Sequence, residues 1–244
     1  MIDFHYVGTS NGRKVAIMLE ETALPYRVIE YPLYAGHHLT PEFGRLNPNH
    51  KLPVIVDHAP EDGGEPFAVF ESGAILQYLA DKTGRFLSTD ARGRSAALQW
   101  LTWQVAGLGP MHGQAHHFIR YAPEGQDYAV ERYSREARRL LHVLERRLGE
   151  VEGTAGGCLA GDYSIADMAC WPWVLGIALI KIDIAEFPAI ARWSARIAAR
   201  PAVAATANSD HLRLPTAYRG KRMSLTPEEW SNLFGDRLHD AVKA

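Results

Sequence analysis

The chain has 244 residues, of which 22% are charged and 47% apolar, with 26 Lys and Arg against 28 Asp and Glu. This balance excludes disorder or a fibre as the main state, and a formal charge of -2 gives none of the basic excess that polyanion-binding proteins show. The start MIDFHYVGTSNGRK does not read as a signal peptide, the apolar run Met168–Ile180 is shorter than the roughly 20 residues a membrane helix needs, and two cysteines are too few for a disulfide scaffold, so a cytoplasmic protein is expected.

In chain order, Asp3–Val7 reads as a first strand. After the turn Gly8-Thr9-Ser10-Asn11, a helix over Gly12–Thr22 places Val15, Met18, Leu19 and Thr22 on one stripe. Tyr26–Tyr31 is a second strand and Pro41–Leu46 a short helix. Leu52–Asp57 and Ala68–Phe70 form a closing pair, and a helix follows from Ser72 to about Lys82. The order β-α-β-α-β-β-α predicts a small mixed sheet, because the first two strands need a helical crossover and the last two a hairpin. From Gly93 onward the period is helical: Gly93–Phe118, Asp127–Glu150, Ser164–Ile180 and Pro188–Ala199. Ser164-Ile165-Ala166-Asp167 is a capping-box start, and Thr226-Pro227-Glu228-Glu229 opens a last helix in the tail. The expected division is 1–83, 91–208 and a C-terminal extension 209–244.

Three segments carry candidate chemistry. Leu52-Pro53 stands at the start of a strand, where a trans proline would remove a ladder donor; a cis bond there would leave the Leu52 backbone free to pair with an extended peptide ligand. Glu71-Ser72 joins a strand to a helix start, so Ser72 serves either as a plain N-cap or, with Glu71, as a site for the carboxylate and ammonium of one amino acid. Thr9, Ser10 and Asn11 bring two hydroxyls and an amide to another helix N-terminus, which caps the helix or stabilises an anion such as a thiolate.

These segments occur together and in order. The first-strand turn, NPNHKLPV, FESGAILQYLA and GDYSIADMA resemble the cytosolic glutathione transferases over residues 1 to about 205. VGTSNGRKV, LQWLTWQVAGLGPMHGQAHHF and YAVERYSREARRLLHVLERRL are similar to the bacterial Nu-class branch, whose members act as glutathione-dependent disulfide-bond reductases. The resemblance implies an α/β thioredoxin-like N-terminal domain followed by an all-α domain. It implies glutathione as substrate and a homodimer, while charge, hydropathy and residue spacing lead to no expectation of a nucleic-acid, membrane or metal partner. It carries the sulfur-directed donors onto Thr9 and Asn11, the cysteinyl backbone clamp onto Leu52, the γ-glutamyl site onto Glu71 and Ser72, and a carboxylate contact onto Arg132. His38 takes the glycine-carboxylate position, where the branch usually has a polar amide.

Against these stand rival readings. Tyr6 is a second candidate for the sulfur partner, although Ile2 and Phe4 on the same strand face make it a core residue. His112 and His116 have metal-ligand spacing without an acidic or thiol companion, and Arg132 can instead pair with Glu136 on a solvated face. Cys158 and Cys170 lack C-x-x-C spacing and read as a loop thiol and a core residue. With no cysteine in the first-strand turn, the reacting sulfur is expected to come from glutathione. The alternatives are a conventional conjugating transferase and a non-enzymatic binding or regulatory protein on the same fold; the latter has no need of Thr9, Asn11, Glu71 and Ser72 together.

Overall fold

The structure is a computed structural model and describes residues 1–32, 34–212 and 225–243. It divides into two compact units, one of residues 1–82 with 205–244 and the other of residues 83–204.

The first unit holds a four-stranded sheet of β1 (Ile2–Tyr6), β2 (Tyr26–Glu30), β3 (Val54–Asp57) and β4 (Phe67–Phe70) in the order β2-β1-β3-β4. β1 and β2 run parallel across the crossover helix α1 (Ser10–Thr22), while β3 is antiparallel to both β1 and β4. α2 (Pro41–Leu46) and α3 (Ser72–Thr83) are the other helices of this part of the chain. Every β1 residue is buried, as a strand covered on both faces requires. Phe4, Ile17, Leu19, Ile55, Ile75 and Leu76 are fully buried, each worth about 1.5–3 kcal/mol against exposure. α1 comes so close to β1 that a Cβ on Gly12 would lie 2.2 Å from the Val7 carbonyl, so only glycine fits at that crossing.

The second unit is helical: α4 (Ala91–Trp103), α5 (Gly109–Arg120), α6 (Asp127–Val151), α7 (Ile165–Val174), α8 (Pro188–Ala198) and the start of α9 (Pro201–Asn208). The continuous helix expected over Gly93–Phe118 is interrupted by a π-helical turn at Gln104–Leu108. Pro110 has no N–H, and the Gly109 amide reaches back five residues to the Gln104 carbonyl, which widens the turn. The helix expected over Ser164–Ile180 ends at Val174, and beyond Gly176 the chain continues as a 3-10 turn, Ile177–Ile180. α9 was not expected. On α6 the stripe of Ala137, Leu140, Leu141, Leu144 and Leu148 is buried. The capping box at α7 is present: Ser164 Oγ accepts the Ala166 amide, and the buried Asp167 accepts from the Ser164 and Leu159 amides at 3.1 Å and from Trp193 Nε1 at 3.0 Å. Burial raises the Asp167 carboxyl, and these donors oppose that shift.

The chain then returns to the first unit. The Tyr6 hydroxyl donates to the Leu212 carbonyl, His211 Nδ1 lies 3.0 Å from a Glu30 carboxylate oxygen, and Asn232 Nδ2 donates to the Tyr34 carbonyl at 2.8 Å. Asn232 sits on the tail helix Pro227–Phe234, opened by the expected Thr226/Glu229 capping box, and Gly235 separates that helix from a second, Asp236–Ala241. Of the tail, residues 213–224 and 244 lie outside the described residues.

Candidate glutathione site

The sheet register brings three candidate segments to one end of the first unit. His5 on β1 is opposite Val54 on β3, which is opposite Phe70 on β4. The chain therefore leaves β1 toward Thr9, enters β3 from Leu52 and leaves β4 toward Glu71 and Ser72, all at the same end of the strands.

Thr9 has extended backbone (φ -83°, ψ 171°) and is the N-cap of α1; its Oγ1 accepts the Gly12 amide at 3.5 Å. The capping reading of Thr9 is therefore correct, and it is compatible with the other, because a hydroxyl that accepts this bond keeps its own hydrogen to donate. Asn11 follows within the first turn of the helix, half-buried like Thr9 and Ser10. That turn contains no acidic residue, so the positive end of the helix dipole is unopposed there.

Leu52-Pro53 is a cis bond. Leu52 lies two residues before the ladder begins at Val54, so its backbone is outside the sheet pairing. The turn before it is shaped by the buried Asn47, whose side chain donates to the Lys51 carbonyl at 2.7 Å and accepts the Asn49 amide at 2.9 Å, with His50 at a φ of 51°.

Glu71 adopts a left-handed φ of 67°, a conformation that costs a non-glycine residue on the order of 1 kcal/mol and that clusters at ligand sites. Its carbonyl accepts the Ile75 amide, which makes Glu71 the residue before the helix and Ser72 the first helical residue. The expectation that Ser72 is the N-cap is thus displaced by one position. Ser72 Oγ instead accepts from Lys14 Nζ at 3.2 Å, and Lys14 is only 1% exposed. Lys14 was missed at the sequence level. The available signal was its place one turn before Met18 on the buried face of α1.

His38 is buried. Its carbonyl accepts from His50 Nδ1 at 2.8 Å, which ties its loop to the turn before Leu52. Burial, reinforced by nearby Lys51 and His50, pushes the His38 imidazole down to about 4, so it is neutral at pH 7 and offers an N–H rather than a charge. Arg132 is in the second unit, half-exposed on α6, with a guanidinium nitrogen 3.7 Å from Glu136.

The rival residues are differently placed. Tyr6 is 1% exposed, and burial pushes its phenol up to about 12 while its hydroxyl is engaged by Leu212. His112 is fully buried with Nε2 at 3.4 Å from the Ala137 carbonyl, and burial pushes it and His116 down to about 4. Among the described residues no group of three His, Cys, Asp or Glu side chains is placed to hold a metal ion. Cys158 and Cys170 are both buried, and burial together with Asp167 pushes the Cys158 thiol up to about 12, far from a reactive thiolate.

Comparison with known proteins identifies the family. A family model described as "Glutathione S-transferase, N-terminal domain" matches residues 10–82, and one described as "Glutathione S-transferase, C-terminal domain" matches residues 108–201. Disulfide-bond oxidoreductase YfcG of Escherichia coli is 54% identical over 202 residues, which is 83% of this chain and 92% of that protein. A glutathione transferase from Burkholderia graminis, solved with two glutathione molecules per subunit, is 44% identical with a TM-score of 0.76 over 83% of this chain and 85% of that one. A glutathione transferase from Pseudomonas putida, solved with one glutathione disulfide per subunit, is 38% identical with a TM-score of 0.77 over 88% and 91%. The chain belongs to the glutathione S-transferase superfamily.

Proposed function

We propose that the protein is a glutathione-dependent disulfide-bond oxidoreductase whose nucleophile is the thiolate of bound glutathione. The observation that carries this reading is the convergence of the Thr9, Leu52 and Glu71–Ser72 segments at one end of the sheet's strands, in a chain whose first turn contains no cysteine. Thr9 and Asn11, at the unopposed N-terminus of α1, direct donors at the sulfur. Leu52 pairs with the cysteinyl backbone, Glu71 with the γ-glutamyl ammonium and Ser72 with its carboxylate. His38 supplies an N–H toward the glycine carboxylate.

In the reaction, the glutathione thiolate attacks one sulfur of a small disulfide, the S–S bond breaks, and the departing thiolate takes up a proton. A second glutathione attacks the glutathionyl sulfur of the mixed disulfide and releases the other thiol, with glutathione disulfide as product. Relatives solved with two glutathiones or one glutathione disulfide per subunit support that stoichiometry. No helix among the described residues is long and apolar enough to cross a membrane. The proposal includes a cytoplasmic location and a homodimer. Light scattering of concentrated and diluted samples tests the dimer, and a monomer mass in both would exclude it.

The reading is tested by titrating the ultraviolet absorbance of the bound glutathione thiolate against pH. The expected midpoint is one or more units below the free-thiol value of about 8.5. A midpoint at or above that value would overturn the proposed nucleophile.

A further inference from the structure

Lysine is almost never fully buried unless it is paired, because its ammonium loses hydration on burial. Lys14 is 1% exposed, in a helix where Gly12, Val15, Ala16, Ile17, Met18 and Leu19 are also buried, and a buried methionine of similar volume would not carry that cost. Its Nζ donates to Ser72 Oγ at 3.2 Å. An ammonium has three donors and no acceptor, so in this contact the serine oxygen must accept. The Ser72 hydroxyl hydrogen is thereby directed to some other acceptor. Ser72 is also the first residue of α3, a helix with no acidic residue in its first turn, so its hydroxyl lies beside the positive end of the dipole.

We propose that Lys14 is a positioning residue for the γ-glutamyl carboxylate of glutathione. It acts through Ser72: the buried ammonium fixes the hydroxyl as a donor and adds positive potential one hydrogen bond behind it. Because the pair is buried, salt screens this potential less than it would at the surface. The inference rests on the assignment of Ser72 to that carboxylate made above.

The test compares glutathione with 4-aminobutyryl-cysteinyl-glycine, which lacks only the γ-glutamyl carboxylate. Binding of each is measured calorimetrically to the full-length protein, to Lys14→Met and to Ser72→Ala. The wild type should prefer glutathione by about tenfold or more, and Lys14→Met should weaken glutathione by about tenfold while changing the analogue less than about twofold. The midpoint of the bound thiolate should stay within about 0.3 unit of the wild type, since Lys14 acts through Ser72 and not through the sulfur-directed donors Thr9 and Asn11. Equal weakening of both ligands would make Lys14 merely structural, and no weakening of either would remove its role; each result overturns the proposal. If Ser72→Ala keeps the full preference for glutathione, the carboxylate is not at Ser72 and the underlying assignment falls with the inference. Should Lys14→Met fail to fold, Lys14→Gln keeps an N–H donor without the charge. It should lose about threefold of the preference, and an unchanged preference would overturn the proposal.

Discussion

The Tyr6 hydroxyl donates to the main-chain carbonyl of Leu212, a residue 206 positions away that belongs to the same compact unit. The bond uses the phenol hydrogen internally, and burial pushes the phenol up to about 12. Tyr6→Phe should therefore leave kcat/KM within about threefold of the wild type, while lowering thermal stability through the unpaired Leu212 carbonyl by about 1–3 kcal/mol. A loss of activity larger than that caused by changing Thr9 would mean that the sulfur partner is Tyr6.

Thr9→Ala and Asn11→Ala should each lower kcat/KM by about tenfold or more, equivalent to about 1.4 kcal/mol of lost stabilisation. The acid limb of the pH–rate profile should move upward by about one unit, because a thiolate with fewer donors forms at higher pH. For Thr9 part of any stability change comes from the lost α1 cap, which accepts the Gly12 amide. The profile separates the two effects, since a lost cap does not move a thiol titration.

Most of the fold was legible because its signals are local. α2 has the expected bounds, and the Ser164/Asp167 and Thr226/Glu229 boxes open helices where expected. Thr9, Leu52, Glu71 and Ser72 were found as turn chemistry at element boundaries. What was not legible depends on distant partners. Nothing near Tyr6 or Tyr34 in sequence points to Leu212 or Asn232, and nothing near Lys14 points to Ser72, 58 positions away. The π turn at Gln104–Leu108 was hidden because apolar periodicity continues across it, although Pro110 marks the lost hydrogen bond.

The Cys158→Ala/Cys170→Ala double variant should keep glutathione-dependent turnover within about twofold while unfolding at lower temperature, since Cys170 is fully buried and its loss leaves a small cavity worth about 1 kcal/mol. Lost turnover in a variant that still binds glutathione would make one of these cysteines the nucleophile.

Buried imidazoles give the stability a pH dependence of defined sign. His38, His112 and His116 titrate near 4 in the folded chain against 6.5 when free, so between these values the unfolded state binds more protons. Stability should therefore fall as the pH drops below 6.5, by up to about 1.4 kcal/mol per pH unit for each histidine. Urea unfolding at pH 7 and pH 5.5 checks this before most carboxylates titrate. Equal stability at the two values would mean that these rings are charged in the folded state.

Asn232→Ala should destabilise the chain by about 1–3 kcal/mol, because it leaves the Tyr34 carbonyl, now bonded at 2.8 Å, without its donor. Thermal unfolding measures the effect. An unchanged midpoint would show that the tail helix does not contribute to the first unit's stability.

In the proposed reaction, bound glutathione attacks disulfides. The direct measurement is glutathione-coupled turnover of a small mixed disulfide beside conjugation of a chlorinated aromatic electrophile, with the same preparation and glutathione concentration. Disulfide reduction should exceed conjugation by about tenfold or more in kcat/KM; conjugation equal to or faster than reduction would mean that the protein is a conjugating transferase.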